Sequence, residues 1–508
     1  MSKAGRTLAS DRALVAAIWL AAAAGLVGGA RLMWWYWPGR VFVGSTSDIW
    51  TALAWDFAHG EFYRPLLSAD GYGGTRYMPL LFVGHGLLMR AGMDPIYSGI
   101  LLMQTSVLAV AGALYFALRA GGAPARLAAP LSGTVWCTVI FQQYCTDIRA
   151  DYLAAAFVML AIGLAARSAA STRASWWLAG AAAACVVAGL TKVTSIAVVA
   201  PIVAWLWLAG ARGVAWRFAA GTTLLWAATV GLVNRASQGR LVENLVSTAS
   251  GGTTAADAWG ALPHFAREAV SDPFIAAPFA LAVWCSVGAC RRRVSLAPLL
   301  LATTALVTAV IFASPGTVAN QLVELHVASA LVIGAALTAR AVSSRAVAPI
   351  YAVLAVAMVA ISVPVPGLPS VIGTLRERGP HTRAAVEALH AEFTPPGTRY
   401  ITNDPIISIL ANERTVLLDD FAMELSMRRG APAGRDFEAR MRRRDFDVVI
   451  FRGADEFPHD MNDGDAGFAE YKEQYWAGWS GHREMAELVA SGYDVHAVRK
   501  PFVILTRR

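Results

Sequence analysis

Residues 45–79 read STSDIWTALAWDFAHGEFYRPLLSADGYGGTRYMP, and they follow an apolar run at residues 13–32 that is closed by WWYWP at 34–38. Asp48 therefore stands just beyond a first membrane span, at a depth where an ionisable group is a site hypothesis by default. Working outward, the 508 residues are 56% hydrophobic and only 15% charged, the composition of a polytopic membrane protein and not of a soluble domain. The net charge of +8 resides mainly in short loops between apolar runs. It reports topology, so no nucleic-acid partner is expected.

The apolar runs fall near residues 13–32, 96–118, 128–144, 152–166, 176–191, 193–209, 218–233, 273–290, 295–313, 319–339 and 346–363, about eleven spans. With the N-terminus (Lys3, Arg6, Arg12) cytoplasmic, the inside loops carry Arg119 and Arg126, Arg167 and Arg173, Arg212 and Arg217, Arg291 to Arg293, and Arg340 and Arg345. Every short inside loop is then basic, as the positive-inside rule requires. The outer connections are residues 33–95, the turn 145–151, the point at Lys192, residues 234–272, the turn 314–318, and the tail from Pro364, which an odd span count sends outside.

Residues 78–92, MPLLFVGHGLLMRAG, would invert this topology as a further span. As a helix they reach only about 22 Å and include His85 and Arg90, so they are read as lying at the interface. The first 30 residues are expected to stay as an uncleaved anchor, because the interfacial aromatic belt follows the apolar run directly. Cys137, Cys145, Cys185, Cys285 and Cys290 all lie in or at the ends of spans, with no disulfide framework or zinc motif, and read as small packing residues.

From about Leu375 the chain becomes charged, and TRYITN, TVLL, DVVIF and FVIL read as short strands between the amphipathic stretches RAAVEALHAEF and DFEARMRRR. Residues 375–508 are thus expected to form a small extracytoplasmic α/β domain beside a transmembrane domain at 1–364. The loops Pro395–Gly397 and Asn462–Gly464 are turn signals. Asp419 and Asp420 have no His or Cys cluster nearby, and read as covering the outer face or shaping an acceptor cleft.

Polar residues meet the outer membrane face in four places. Asp48 precedes an amphipathic run, IWTALAWDFAHG, where it, Thr46 or Ser47 either caps a surface helix or carries chemistry. The turn CTDIRAD packs Asp147, Arg149 and Asp151 between nearly uncharged spans. Lys192 interrupts an apolar stretch of about 34 residues; it either snorkels to headgroups or binds a lipid phosphate. The run NQLVELHVA brings Asn320, Glu324 and His326 into the tenth span, with Asn320 and Glu324 on one face.

The chain resembles the GT-C glycosyltransferases that take sugars from polyprenyl-phosphate carriers, particularly the bacterial branch of protein O-mannosyltransferases and lipid A aminoarabinose transferases. The resemblance covers roughly residues 10–340 and is carried by Asp48, Ala54 and Gly60 to Tyr63, by Tyr77-Met78-Pro79-Leu80, by Arg149-Ala150-Asp151, and by Gly189-Leu190-Thr191-Lys192. Many relatives have a second acid directly after the first; here Ile49 stands there, which weakens any metal site built on such a pair.

The resemblance implies a bundle of membrane helices and a lipid-linked sugar donor, with the bilayer and a lipid, glycan or protein acceptor as partners. It implies Asp48 as the base, Asp151 or Asp147 orienting the acceptor or holding Arg149, and Lys192, Arg149 and Arg76 neutralising the donor phosphate. Tyr77 and Pro79 would shape the wall near the headgroup, and Glu324 and His326 would contact donor or acceptor. No metal ligand is assigned, and metal dependence is left open. A transporter, a flippase or a noncatalytic assembly subunit is the alternative, although no internal repeat is visible and the acids cluster at one face. No GxxxxGK[ST] loop or HExxH helix supports a nucleotide-driven pump or zinc protease. The richness in Ala, Arg and Gly fits a GC-rich bacterial genome, and a bacterial inner membrane is the expected location.

Overall fold

The computed structural model describes residues 3–36, 45–144, 147–248, 253–290, 295–314, 317–362, 382–452, 461–462, 465, 483–499 and 502–508. Helix α1 (Lys3–Tyr36) is followed by α2 (Ser45–Ala58), a small hairpin of β1 (Leu67–Ser68) and β2 (Gly71–Tyr72), and α3 (Pro79–Arg90). Next come α4 (Pro95–Ala120), the short α5 (Ala125–Gly133) and α6 (Val139–Tyr144), then α7 (Asp151–Ser168), α8 (Ala174–Thr191), α9 (Val199–Leu208) and α10 (Arg212–Ala236). The membrane part closes with α11 (Arg240–Thr248), α12 (Ala255–Ser271), α13 (Pro273–Cys290), α14 (Leu296–Ile311), α15 (Val323–Thr338) and α16 (Ser344–Ser362).

All eleven apolar runs are helical, with the run at 128–144 broken into α5, a single 3-10 turn and α6. Among the described residues six helices are each long and apolar enough to cross a membrane, and α12 with α13, bent by 110° at their junction, would count as a seventh if the pair is one span. Such a bend suits an amphipathic helix lying at the interface before the chain turns into the bilayer. The bundle is held by α1 on α16, α4 on α7, α7 on α8, and α15 wedged against α13 and α14. Large apolar side chains such as Leu26, Leu108, Leu224, Leu306 and Val353 remain exposed on these helices, as a lipid-facing surface requires. The described cysteines, Cys137, Cys185 and Cys285, are buried and free.

Helix α3 has 12 residues, about 18 Å, well short of a hydrocarbon core of about 30 Å, and it packs on α2 instead of crossing. The tail forms a five-stranded sheet in the order β3-β4-β7-β6-β5, from β3 (Tyr400–Thr402), β4 (Val448–Arg452), β5 (Met461–Asn462), β6 (Tyr493–Arg499) and β7 (Phe502–Arg507). β3 and β4 are parallel; the other pairs are antiparallel. The amphipathic stretches are helices at Arg383–Phe393 and Pro432–Arg442.

Two details depart from expectation. TVLL does not enter the sheet: Leu417 makes an isolated parallel bridge to Tyr72 of the hairpin. YDVHAVR, unassigned from the sequence, is β6, its alternation interrupted by a bulge between Val495 and Ala497. Of the second turn signal only Asn462, at the end of β5, lies within the described residues.

The tail and the 45–95 connection share a core, in which Ile49, Trp50, Leu53 and Phe82 join Ile406, Ile407, Leu418 and Ile450. Gly71 takes φ +139° at the hairpin and leaves no room for a Cβ against the Val416 carbonyl, so only glycine lets the hairpin approach the tail so closely.

Candidate active site

The connections expected on the outer side of the membrane all gather at one end of the bundle. The Ser47 hydroxyl accepts the Ile148 N–H at 2.9 Å, Thr75 N–H donates to Asn244 Oδ1 at 3.0 Å, and Arg76 Nη1 reaches Ser314 Oγ at 3.4 Å. The Ile148 side chain fills the space over Gly99 of α4 that a Cβ there would enter, which packs the turn carrying Asp147 and Arg149 against α4.

Asp48 lies in the first turn of α2 and is fully buried, yet neither oxygen accepts a helix N–H. Oδ2 lies 3.4 Å from Arg452 Nη1, and Oδ1 has no partner among the described residues. The capping alternative is therefore not what the carboxyl does. Burial, and then Asp404 beside it, hold Asp48 well above the usual carboxylate range, with Arg452 opposing. Asp147 is also buried; it accepts Arg149 Nη2 at 3.3 Å through Oδ2, while its Oδ1 is unpartnered. The Arg149 guanidinium lies 4.2 Å above the Tyr144 ring.

The second half of the site is built on Asp151, the first residue of α7. Its Oδ1 accepts Lys192 Nζ at 2.8 Å and its Oδ2 accepts Asn320 Nδ2 at 2.7 Å. Glu324, the next charge near Lys192, accepts the Ser195 hydroxyl. Arg149 thus rests on Asp147, and Asp151 holds Lys192, so each cation has its own carboxylate.

Tyr77 stacks on Trp50 with centroids 4.4 Å apart, and Pro79 opens α3 beside it. Burial, then Asp419, push the Tyr77 hydroxyl up to about 12, while Arg76 and Arg149 pull the other way. Arg76 lies over Phe421 at 4.8 Å. Asp419 caps the helix Asp420–Arg428 by accepting Ala422 N–H, and Asp420 accepts the Asn403 amide. His326 stands apart: its Nε2 meets the Thr134 carbonyl at 3.0 Å inside the bundle, on the other side of α15 from Glu324.

Two residues of the site were not foreseen. Asp404 follows β3 and Arg452 ends β4, so the carboxyl ends of two parallel strands deliver both into the pocket around Asp48. The sequence signal was there in retrospect, an Asp-Pro and an Arg each closing a strand-like run, but charged residues are common in the tail. Four residues after Lys192, an apolar groove of about 700 Å³ begins at Ile196 and runs between α9 and α10 as far as Trp207.

No family model matches this chain, and no curated protein matches it by sequence. Its fold is nonetheless shared. ArnT from Cupriavidus metallidurans bound to undecaprenyl phosphate superposes with a TM-score of 0.55 at 13% identity, over 99% of this chain and 98% of that one. The oligosaccharyltransferase of Archaeoglobus fulgidus, in complex with Zn and sulfate, superposes with a TM-score of 0.52 at 13% identity, over 93% of this chain and 71% of that one. The chain has the GT-C fold. Among the described residues, no group of three or more His, Cys, Asp or Glu side chains is arranged to hold a metal.

Proposed function

We propose that the protein transfers a sugar from a polyprenyl-phosphate carrier to a lipid, glycan or protein acceptor on the extracytoplasmic side of a bacterial inner membrane, with Asp48 as the base. The observation that carries the reading is the Asp48 carboxyl itself: buried, with one oxygen unpartnered, at the loop end of a GT-C bundle where Arg149 and Lys192 stand nearby on their own carboxylates. A carrier phosphate needs cations, and an acceptor hydroxyl needs a base; the Asp48 carboxyl and the Arg149–Asp147 pair beside it supply candidates for each.

In this reading the acceptor oxygen attacks the anomeric carbon in line, its proton passes to Asp48, and the bond to the phosphate oxygen breaks with inversion. The electron pair leaves with the polyprenyl phosphate, whose growing charge meets Lys192 and Arg149, with Arg76 at the rim. Asp151 holds Lys192 at that position, Asp147 holds Arg149, and Glu324 lies near the donor side of the site. Tyr77 and Pro79 form the wall by the headgroup, and the groove from Ile196 suits a prenyl chain. In this reading residues 1–364 form the transferase domain that carries these groups, and the domain at 375–508 brings Asp404 and Arg452 to Asp48. His326, on the far side of its helix, serves packing rather than substrate contact in this account.

Mass spectrometry of lipid and envelope-glycan extracts tests the reading in cells carrying the wild type, a deletion, or Asp48→Asn at matched protein levels. The expected result is the same missing sugar in the deletion and in Asp48→Asn, with a polyprenyl-phosphate sugar accumulating in both. A deletion phenotype that Asp48→Asn does not share contradicts the base assignment.

A further inference from the structure

Two carboxyls and one guanidinium meet where the tail sheet touches α2. Arg452 Nη1 lies 3.4 Å from Asp48 Oδ2 and 3.4 Å from Asp404 Oδ2, and all three side chains are nearly or fully removed from solvent. Asp404 and Arg452 are held firmly from their own side. Asp404 Oδ1 accepts Ile406 N–H at 3.3 Å, the Asp404 N–H donates to Thr402 Oγ1 at 3.0 Å, and the Arg452 N–H donates to Asn403 Oδ1 at 2.8 Å. Among the described residues, Asp147, from the turn before α7, also faces Asp48, with Arg149 bonded to it.

We propose that Asp404 and Arg452, carried by the C-terminal sheet, are positioning residues for Asp48 that fix the orientation and the charge state of its carboxyl, so the base is complete only with the tail docked. The inference rests on the reading of Asp48 as the base. In this buried cluster the Asp404 carboxylate raises the cost of ionising Asp48 and the Arg452 guanidinium lowers it. Without Arg452, two buried acids face each other unopposed, and Asp48 stays protonated and cannot accept the acceptor's proton. Without Asp404, Asp48 and Arg452 form a simple ion pair and Asp48 ionises more readily. Deleting either group therefore moves Asp48 in opposite directions, a signature that mere structural support would not produce.

The test is a pH titration of the full-length protein in lipid nanodiscs by difference infrared spectroscopy, following the protonated carboxyl band that Asp48→Asn removes. Arg452→Met is expected to raise the midpoint of that band by about 1–3 pH units and Asp404→Asn to lower it by a similar amount. The double variant should return it towards the wild type, and Arg452→Lys should lie between wild type and Arg452→Met. Thermal unfolding of the same samples identifies any variant that fails to fold; Arg452→Lys and Asp404→Asn, which keep size and polarity, then decide. A midpoint that neither of these moves, or the lack of any band that depends on Asp48, overturns the proposal. Sugar transfer measured on the same preparations separates the two claims. Transfer that needs Asp48 with an unmoved midpoint sinks the positioning role alone, whereas full transfer by Asp48→Asn with the coupling intact sinks the base reading alone.

Discussion

Lys192 ends α8 in extended backbone, four residues before the apolar groove begins at Ile196, and its ammonium is held 2.8 Å from Asp151. A cation so placed is neutralised at rest by one carboxylate, and the donor phosphodiester, which arrives with one negative charge, gains more as the polyprenyl phosphate departs and so draws more strongly on Lys192. Lys192→Met is expected to lower the rate of transfer by about 10²–10³-fold, the usual cost of losing one preorganised charge partner, and Lys192→Arg to recover part of it. Initial rates with a carrier-linked sugar check this. If Lys192→Met changes only the amount of donor needed for half-maximal rate, the cation binds the ground state and does not assist departure. The same residues show what the sequence makes legible. Asp48, Arg149, Asp151 and Lys192 stand out because a charge in apolar surroundings is costly. Asp404 and Arg452 do not, because they sit among the many charges of the tail and reach the site only through long-range sheet pairing.

At the scale of elements, the helix Asp420–Arg428 is capped by a carboxylate under stress. Burial and the neighbouring Asp420 push Asp419 up to about 6. An unfolded aspartate titrates near pH 4, so between about pH 4 and 6 the native state holds a proton that the unfolded state has released. Stability from this group is therefore present in acid and lost as pH rises through that window. Asp419→Asn keeps an equally good cap and removes the penalty. It is expected to raise stability by on the order of 1–3 kcal/mol above about pH 6 and to leave it unchanged near pH 4, read as thermal midpoints at the two pH values. A lower midpoint at both would mean that the ionised carboxylate stabilises the helix. The amphipathic helices of the tail were legible from their periodicity. TVLL was misread because four apolar residues say nothing about which neighbour they pair with, and the hairpin at Tyr72 won over the sheet. β6 escaped because its polar alternation is broken by a bulge.

Across the whole molecule, the tail is fastened to the 45–95 connection by hydrogen bonds from the buried Arg64–Asp56 pair and by partly exposed ion pairs. Arg64 clamps both oxygens of Asp56 and donates to the Thr415 carbonyl at 2.6 Å, Glu61 bridges Arg240 and Arg414, and Arg383 pairs with Asp94. Arg64→Met leaves Asp56 buried and unpaired, which is expected to cost about 3–5 kcal/mol and to appear as a lower midpoint of thermal unfolding. An unchanged midpoint would show that Asp56 finds water or another partner.

The central claim, chemistry at Asp48, is tested most directly with the purified protein in liposomes made from lipids of the deletion cells. Wild-type protein is predicted to release polyprenyl phosphate in step with sugar appearing on an acceptor, without nucleotide. Asp48→Asn is predicted to be slower by about 10²–10⁴-fold with its thermal midpoint intact. Full transfer by Asp48→Asn, or movement of the carrier-linked sugar across the bilayer with no bond broken, would contradict the account.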